Sequence, residues 1–523
     1  MTNCNFMPSL LVGKGKVVPA KYSEQLVYSY RDNPLIEALP SILSEEEAVT
    51  LLTRYPSYHE SERQLPNHLR LHLAQNALQF FQPLPVHLDL EQRFSRLIRA
   101  GYQVRNPITA DFYRYFCEQI DTIESNKVPQ SHSRSSANGF TIIGISGIGK
   151  TTAIEAILSL YPQVIIHSNY NQRALTLMQI VWLKLDCPFD GSIKGLCFNF
   201  FQAVDDILGT DYSRIYTGNR RTVDELIPLI ARVASLHCIG VLVIDEIQHL
   251  SQAKSGGASK MLNFFVQLVN TIGVSVVLVG TYKAMPILSG EFRQARRGSG
   301  QGDLVWDRMA EDRIWELFIE SLWQYQYVQK SSPINAQLIS ALYDVTQGIT
   351  DFAVKVYMLA QMRAIVTGIE RITENIIRSV AADSLRLANP ILSALRTGNM
   401  QLLYSLEDVQ PIEITSFLQP EPKPQIIGRL RSSPLIRKNL VNVEESPNIN
   451  QSNKPVDSTE EEVANSPDDS CHLLQNESPK HQKKAHKFLE KEDSLIEVVA
   501  WAKKQGITAY EALKKQGYIR LKT

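Results

Sequence analysis

The sequence predicts an α/β protein whose parallel sheet is flanked by helices and is followed by a small helical domain. From Phe140 to about residue 310, short apolar runs alternate with amphipathic helices. Near-continuous apolar strands separated by helices are typical of a parallel sheet with both faces covered. The strand candidates are 140–145, 164–167, 180–185, 241–244 and 274–280. From about 312 to 400 the pattern is only helical, which predicts the second domain.

The composition is that of a soluble globular protein. Of 523 residues, 44% are hydrophobic and 21% are charged, and 54 basic residues balance 54 acidic ones. No apolar run reaches the ~18 residues of a membrane span, and the first residues lack the pattern of a secretion signal. The six cysteines are scattered without a CxxC pair, which is typical of reduced thiols. We therefore expect a cytoplasmic protein with no membrane partner.

Shifts in composition divide the chain into five segments. From 418 to 487 there is no Phe, Trp or Tyr, and this stretch is rich in Pro, Ser, Asn and Glu, which predicts disorder. The predicted segments are 1–125, an N-terminal extension and candidate partner-binding region; 126–310, the core of the sheet; 311–400, the helical domain; 401–490, a largely disordered linker; and 491–523, an amphipathic docking element.

The segment GISGIGKT (144–151) matches the phosphate-binding pattern GxxxxGK[ST]. It follows a predicted strand and opens a predicted helix, so backbone N–H groups and the helix dipole can bind phosphate there. We expect Lys150 to bind the β- and γ-phosphates of ATP and Thr151 to bind Mg²⁺. The predicted nucleotide-binding residues of the loop are Gly144, Ser146, Gly147, Ile148, Gly149, Lys150, Thr151 and Thr152.

The run VLVIDE (241–246) ends an apolar strand with two adjacent carboxylates. Two acids in this position are unfavourable unless a partner neutralises them. In a P-loop sheet a second strand ends in an acid that binds Mg²⁺, so we predict that Asp245 is a metal ligand. Glu246 fits the base that polarises the attacking water. The alternative is a capped strand end with two solvated acids.

Two further residues fit an ATPase of the AAA+ type. In VLVGTYKA (277–284) the predicted strand ends with Thr281, where such enzymes place a polar residue that positions the lytic water; the alternative is an ordinary threonine at a strand end. Lys355 lies in QGITDFAVKVYMLAQ, a segment similar to the helix that carries a second nucleotide sensor. AAA+ proteins usually have Arg there, and Lys355 is the basic residue available.

Three clustered arginines, Arg293, Arg296 and Arg297, precede another short strand, DLVWD. One of them is a candidate finger for the γ-phosphate held by a neighbouring subunit. Such a finger places the active site between subunits, so ATP would promote assembly. The alternative is a solvated basic helix face.

The chain resembles TnsC, the AAA+ regulator of transposons that encode a TnsA/TnsB transposase. The matching segments are YRDNPLIEALP (30–40), AGYQVRNP (100–107), YPQVIIH (161–167), GSIKGLCFNFFQA (191–203), VLVIDEIQHLSQAKSGG (241–257), MLNFFVQLVN (261–270) and ARRGSGQG (295–302). The resemblance implies an AAA+ P-loop fold with a helical lid. It also implies a bacterial, DNA-associated homo-oligomer, a ring or a helical filament, that assembles with ATP. Such proteins link a TnsD- or TniQ-type target selector, CRISPR-guided in some elements, to the transposase.

Two helix starts suit contact with the phosphates of double-stranded DNA. Lys194 begins one predicted helix, and Arg220, Arg221 and Thr222 begin another. Thr222 and Glu225 form a capping box, and a helix N-terminus beside arginines can hold phosphate. The TnsC resemblance implies DNA-backbone contact for Lys194 and Thr222. The alternative is capping with surface charge. With no groove-reading motif, we predict sequence-independent binding.

Three functions compete. The first is an ATP-dependent DNA-binding switch for transposition, in which hydrolysis through Glu246 dissolves an assembly that ATP favours. The second is a helicase loader or replication initiator of similar fold. The third is a nucleotide-gated scaffold without turnover, which the pairing of Asp245 with Glu246 disfavours.

Overall fold

The computed structural model describes residues 10–12, 15–110, 112, 138–218, 221–252, 264–265, 269, 273–285, 288, 301–399 and 402–403. The chain divides into two units, Met1–Pro424 and Gln425–Thr523, and all of the described residues belong to the first. The predicted disordered stretch and the terminal docking element therefore lie outside the described residues.

A five-stranded parallel sheet forms the centre of the fold. The described residues contain this sheet and a second, four-stranded one. In chain order, the strands of the two sheets are β1 (Leu10–Val12), β2 (Gly15–Pro19), β3 (Gly139–Gly144), β4 (Val164–Tyr170), β5 (Arg173–Ile180), β6 (Trp182–Asp186), β7 (Val241–Asp245), β8 (Ser275–Gly280) and β9 (Leu304–Trp306). The central sheet has the order β6-β7-β8-β3-β9, and each neighbouring pair in it is parallel. All of its carboxyl ends therefore meet at one edge, where ligands bind in open α/β sheets.

One predicted strand lies in a different sheet. Residues 164–167 belong to β4, which pairs with β2 and β5 in a four-stranded sheet of order β1-β2-β4-β5. The expectation that this run joins the parallel sheet is wrong. Asn171 and Gln172 both have positive φ, and this tight turn folds β5 back onto β4 as a hairpin. The apolar run 180–185 likewise spans two strands, the end of β5 and the start of β6.

Helices cover both faces of the central sheet, as predicted. In the described part of the chain the α-helices are α1 (Pro34–Glu37), α2 (Glu45–Leu52), α3 (Asn67–Ala74), α4 (Pro85–Gln103), α5 (Lys150–Leu158), α6 (Ile193–Leu208), α7 (Tyr212–Tyr216), α8 (Val223–Leu236), α9 (Arg313–Trp323), α10 (Ala336–Thr346), α11 (Thr350–Thr367), α12 (Glu374–Ser384) and α13 (Asn389–Thr397). Short 3-10 helices span Tyr28–Tyr30, Glu60–Gln64, Gln75–Gln79, Ile247–Gln252, Tyr282–Ala284 and Arg386–Ala388. On β7, Leu242 and Ile244 join the core that contains α6 and α8. Val241 and Val243 join the opposite core, which contains α4 and α5.

The N-terminal segment is part of the core around the sheet. The Phe94 ring on α4 packs edge-on against Phe140 on β3, with ring centroids 5.6 Å apart. At the end of α4, the Tyr102 hydroxyl donates a 2.9 Å hydrogen bond to the carbonyl oxygen of Cys238. Burial raises the pKa of the Cys238 thiol to about 11, so it acts as a small apolar residue there.

The region after β9 is helical, as predicted, and we call helices α9–α13 the lid. The successive residues Met358, Leu359 and Ala360 of α11 are all 0% exposed, so every face of this helix is covered at that level. Helix α3 of the N-terminal segment packs against α11. Among the described helices, none combines the length and apolar character that crossing a membrane requires.

Candidate active site

The phosphate-binding loop joins β3 to α5 at the carboxyl edge of the central sheet. Gly149 caps α5 with a φ of 97°, a left-handed conformation that glycine adopts without strain. The loop and the first turn of α5 contain Gly144, Ser146, Gly147, Ile148, Gly149, Lys150, Thr151 and Thr152. Backbone N–H groups and a helix N-terminus meet here, which is an arrangement that binds anions.

The ammonium group of Lys150 lies inside this loop. Its Nζ donates hydrogen bonds of 2.9 Å to the carbonyl oxygens of Gly144 and Ile145, and the residue is buried. A buried ammonium is stable only with such partners. The positive charge is therefore held where the loop would receive phosphate.

Thr151 and Asp245 converge from different elements. The Thr151 hydroxyl donates a 2.8 Å hydrogen bond to Asp245 Oδ2, which joins the start of α5 to the end of β7. A hydroxyl and one carboxylate suit Mg²⁺, which usually takes its remaining ligands from water and substrate phosphates. No cluster of three His, Cys, Asp or Glu side chains in the described ranges could hold a metal by itself. Because a hydroxyl and one carboxylate leave most coordination positions of Mg²⁺ to water and phosphate oxygens, the pair fits a metal that arrives with a nucleotide.

A second cation lies beside Asp245. The Nζ of Lys184, on β6, is 2.7 Å from Glu155 Oε1 and 3.7 Å from Asp245 Oδ2. Burial acts to lower the pKa of Lys184, but the hydrogen bond with Glu155 and the charges of Glu155 and Asp245 outweigh it and raise the pKa. The ammonium therefore stays charged. Sequence analysis missed Lys184 because only the pairing of β6 with β7 brings it to the site.

Glu246 follows Asp245 in a left-handed conformation with a φ of 58°. Residues other than glycine rarely adopt this conformation, and such positions are concentrated at functional sites. The Glu246 N–H donates a 2.9 Å hydrogen bond to Asp245 Oδ1. Its Oε2 accepts a hydrogen bond from Nε2 of Gln248.

Thr281 follows β8, the strand that lies between β7 and β3. Its position is therefore between the acid pair and the phosphate-binding loop. Its buried hydroxyl has no hydrogen-bond partner in the described part of the chain, which is unfavourable unless a ligand or water binds there. Its N–H donates a 3.1 Å hydrogen bond to Gln248 Oε1. Gln248, which sequence reasoning missed, thus contacts both Glu246 and Thr281.

A cavity of about 130 Å³ lies beside the phosphate-binding loop. Three parts of the chain line it: Leu78, Phe80, Phe81, Gln82, Leu84 and His87 of the N-terminal segment; Ile148, Gly149 and Thr152 of the loop and α5; and Phe318, Thr350, Asp351 and Val354 of the lid. Burial lowers the pKa of His87 to about 4, and its Nδ1 accepts a 2.9 Å hydrogen bond from the N–H of Leu84. Largely apolar walls with a few polar groups suit a heterocyclic base.

The lid contacts the phosphate-binding loop through the start of α11. The Asp351 N–H donates a 3.2 Å hydrogen bond to the carbonyl oxygen of Gly147, and the Thr350 hydroxyl donates a 3.1 Å hydrogen bond to that of Ile148. One turn further, Lys355 Nζ lies 2.7 Å from Asp351 Oδ2. Lys355 is thus on the helix that touches the loop, and its role as a second sensor stays a prediction.

Lys194 and Thr222, two of the predicted DNA-contact residues, lie at helix starts, as expected from sequence. Lys194 is in the first turn of α6, with its Nζ 5.6 Å from the centroid of the Phe198 ring. Thr222 precedes α8, and its N–H donates a 2.8 Å hydrogen bond to Glu225 Oε2. Arg221 lies directly before it. Arg220, Arg293, Arg296 and Arg297 lie outside the described residues.

Residues 133–288 match a family model described as an AAA domain. No curated protein matches the chain. The match covers the phosphate-binding loop, the acid pair and the end of β8. Together with the five-stranded parallel sheet and the helical lid, it shows an AAA+ fold and a P-loop site of the ATPase type.

Several solved structures are similar to the chain. They include the Aeropyrum pernix ORC1 protein in complex with DNA (16% identity, 52% of this chain, 66% of that chain, TM-score 0.34), Cdc6p from Pyrobaculum aerophilum (15%, 52%, 67%, TM-score 0.31) and Drosophila ORC bound to DNA (10%, 64%, 74%, TM-score 0.32). The chain covers slightly less than two thirds of the ORC1 structure.

Proposed function

We propose that this AAA+ ATPase uses ATP and Mg²⁺ to assemble on double-stranded DNA and regulates DNA transposition by linking a target-selection protein to a transposase. One observation carries the ATPase part. Lys150, Thr151 and Asp245 converge at the carboxyl edge of the sheet, and Glu246 follows directly. The link to transposition rests on the TnsC-like segments of the sequence.

Each side chain of the site has a role in this proposal. The loop and Lys150 bind the phosphates, and Thr151 with Asp245 holds Mg²⁺, which neutralises the phosphate charge. Glu246 orients the attacking water and accepts its proton. Thr281, which lies between the phosphate-binding loop and the acid pair, positions that water with its hydroxyl.

The remaining groups bind the rest of the nucleotide. The cavity beside the loop takes the base, and Lys355 on α11 approaches the phosphates from the lid. Arg293, Arg296 or Arg297 supplies the finger to the site of a neighbouring subunit. Since the lid contacts the loop directly, nucleotide occupancy affects the shape that one subunit presents to the next.

Lys194, Arg220, Arg221 and Thr222 contact the DNA backbone. Helix α6, which carries Lys194, packs against both α7 and α8, the helices on either side of Arg221 and Thr222. The Arg221 guanidinium lies 5.9 Å from the centroid of the Tyr216 ring on α7. Every subunit of a ring or filament would add its own modest phosphate contacts, so assembly multiplies DNA affinity.

The proposed DNA surface can be tested with Lys194→Ala and Arg221→Ala, measured with a slowly hydrolysed ATP analogue. Removal of a cation that binds phosphate should weaken binding on all sequences alike. It should also reduce the slope of log affinity against log salt concentration by about 0.9 for each phosphate that the variant no longer neutralises. Lys330→Ala and Arg386→Ala remove exposed cations from the lid region and serve as matched controls. Wild-type affinity in both test variants would remove this surface from the proposal.

Hydrolysis is proposed to set the lifetime of the assembly rather than to act on DNA. Glu246→Gln keeps the size of the side chain and removes the base. We expect it to bind ATP and DNA normally and to form complexes that persist after free ATP is removed. Rapid disassembly of this variant on ATP, at the wild-type rate, would contradict the role of Glu246.

A reconstitution separates this function from a helicase loader or replication initiator. ATP-bound complexes on DNA should recruit a TnsA/TnsB-type transposase and a TnsD- or TniQ-type target selector, and should stimulate strand transfer. Recruitment of a replicative helicase instead would favour the alternative. Imaging the protein on DNA with the same ATP analogue distinguishes a ring from a filament.

A further inference from the structure

Gln248 forms a side-chain bridge between Glu246, the proposed base, and Thr281, which is proposed to position the attacking water. It is 3% exposed and lies in the 3-10 helix that follows Glu246. Its Oε1 accepts the 3.1 Å hydrogen bond from the Thr281 N–H, and its Nε2 donates to Glu246 Oε2. An N–H requires an acceptor and a carboxylate requires a donor, so the two partners together determine the orientation of the amide.

The Gln248 bridge fits at the end of β8 because residue 280 is a glycine. A Cβ at Gly280 would lie 3.0 Å from Gln248 Oε1 and 2.5 Å from Ile247 Cγ2. The last residue of β8 therefore has to lack a side chain for the Gln248 amide to pass over the end of the strand. The close packing ties the position of the amide to the end of β8.

We propose that Gln248 is a positioning residue that ties the orientation of the Glu246 carboxylate to the end of β8. The inference rests on the proposed role of Glu246 in hydrolysis. A shift of Thr281 on nucleotide binding moves Gln248 Oε1, which accepts from the Thr281 N–H. The Nε2 of the same amide then moves the Glu246 carboxylate, to which it donates. Gln248 thereby couples detection of the nucleotide to alignment of the base.

Two substitutions separate this role from a structural one. Gln248→Met keeps the approximate size and loses both hydrogen bonds. When ionised, the new side chain of Gln248→Glu still accepts from the Thr281 N–H but cannot donate to Glu246, and its charge repels that carboxylate. If Gln248 only holds the end of β8 in place, Glu can take over this role because it still accepts from the Thr281 N–H. If Gln248 orients Glu246, the Glu variant loses activity.

We expect kcat for ATP to fall about tenfold or more in both variants, with KM and nucleotide affinity within about twofold of wild type. Hydrogen exchange at the Thr281 amide should accelerate in Gln248→Met and stay protected in Gln248→Glu. Wild-type kcat in Gln248→Glu would overturn the proposal. A loss confined to KM would also overturn it, because positioning of the base acts on the chemical step.

Gln361→Met is the matched control. Gln361 is a fully buried glutamine of the lid that donates to the Tyr325 carbonyl and accepts from the Tyr327 N–H. The Gln361→Met variant should have a lower unfolding temperature but an unchanged kcat per folded molecule. Glu246→Gln is measured in parallel: if it retains turnover, the proposed function fails at Glu246. If Glu246→Gln is inactive while Gln248→Met turns over normally, only the present inference fails.

Discussion

The Thr151 hydroxyl and the Asp245 carboxylate are joined by a 2.8 Å hydrogen bond across 94 residues of sequence. One residue comes from the first turn of α5 and the other from the end of β7. Their contact brings a Mg²⁺-type oxygen pair together beside the phosphate-binding loop. The fold therefore holds the two proposed metal ligands next to each other, which lowers the conformational entropy lost when a metal binds.

Thr151→Val should lower nucleotide affinity in the presence of Mg²⁺ about tenfold and leave affinity in EDTA nearly unchanged. The substitution keeps the branched shape but removes the hydroxyl ligand. Thr151→Ser is the control, because it retains the oxygen. Titration of a fluorescent ATP analogue with and without Mg²⁺ measures both affinities, and an equal loss in the two conditions would argue against a metal ligand at this position.

Lys184→Met should lower the Mg²⁺ concentration needed for half-maximal nucleotide binding by about threefold. Lys184 lies 3.7 Å from Asp245 and competes with the metal for the same negative charge. The metal-free protein should also unfold at a lower temperature, because Asp245 loses a nearby cation. Glu155→Gln, which removes the other partner of Lys184, is the control and should not lower the Mg²⁺ requirement.

The sequence predicted the phosphate-binding loop and the acid pair because each is a local pattern at the end of an apolar strand. It also predicted apolar runs that form strands of the parallel sheet, but it placed 164–167 there, and that run belongs to the other sheet. The hairpin of β4 and β5 was missed because its turn, Asn171–Gln172, lacks the usual Asn-Gly signal. Lys184 and the N-terminal wall of the cavity were missed for another reason: tertiary packing alone brings them to the site, and no local spacing reports it. Gln248 is close to Glu246 in sequence, but only the packing of its 3-10 helix against β8 brings its amide to Thr281.

Acidification should lower the free energy of unfolding because His87, which lines the cavity, is buried in its neutral form. Burial lowers the pKa of His87 to about 4, whereas the unfolded chain titrates near its usual value of 6.5. Below that value the unfolded state binds more protons, so the free energy of unfolding falls as the pH drops towards 4. Between about pH 7 and about pH 5, this one group should contribute a loss of about 2 kcal/mol.

His87→Gln keeps an acceptor for the Leu84 N–H and does not titrate, so it should flatten this pH dependence. Urea unfolding at about pH 7 and about pH 5 gives the change in the free energy of unfolding with pH for the variant and for the wild type. His237 has its pKa lowered by burial to about 4 as well and contributes to the wild-type slope, so His237→Gln is the matched comparison. Parallel wild-type and His87→Gln slopes would contradict the assignment.

Arg70 of the N-terminal segment and Glu370 of the lid form a buried pair through two hydrogen bonds of 2.7 Å. Arg70 also donates to the carbonyl oxygens of Leu65 and Tyr327. The hydrogen bond from Arg70 lowers the pKa of Glu370, although burial acts in the opposite direction. The stability that this carboxylate contributes is therefore present above about pH 4.5 and is lost as the pH falls through its lower folded-state pKa.

Arg70→Met should destabilise the packing of the N-terminal segment against the lid by about 3 kcal/mol, because it leaves a buried carboxylate without its cation. Arg70→Lys should recover only part of this, since an ammonium cannot reproduce the two parallel bonds. The double variant Arg70→Met/Glu370→Gln should be more stable than Arg70→Met alone. Since both partners belong to segments that line the cavity, nucleotide affinity should follow the same order. Hydrogen exchange in α11 and thermal unfolding measure the ranking, and a double variant less stable than Arg70→Met would show that the ion pair is not what holds these segments together.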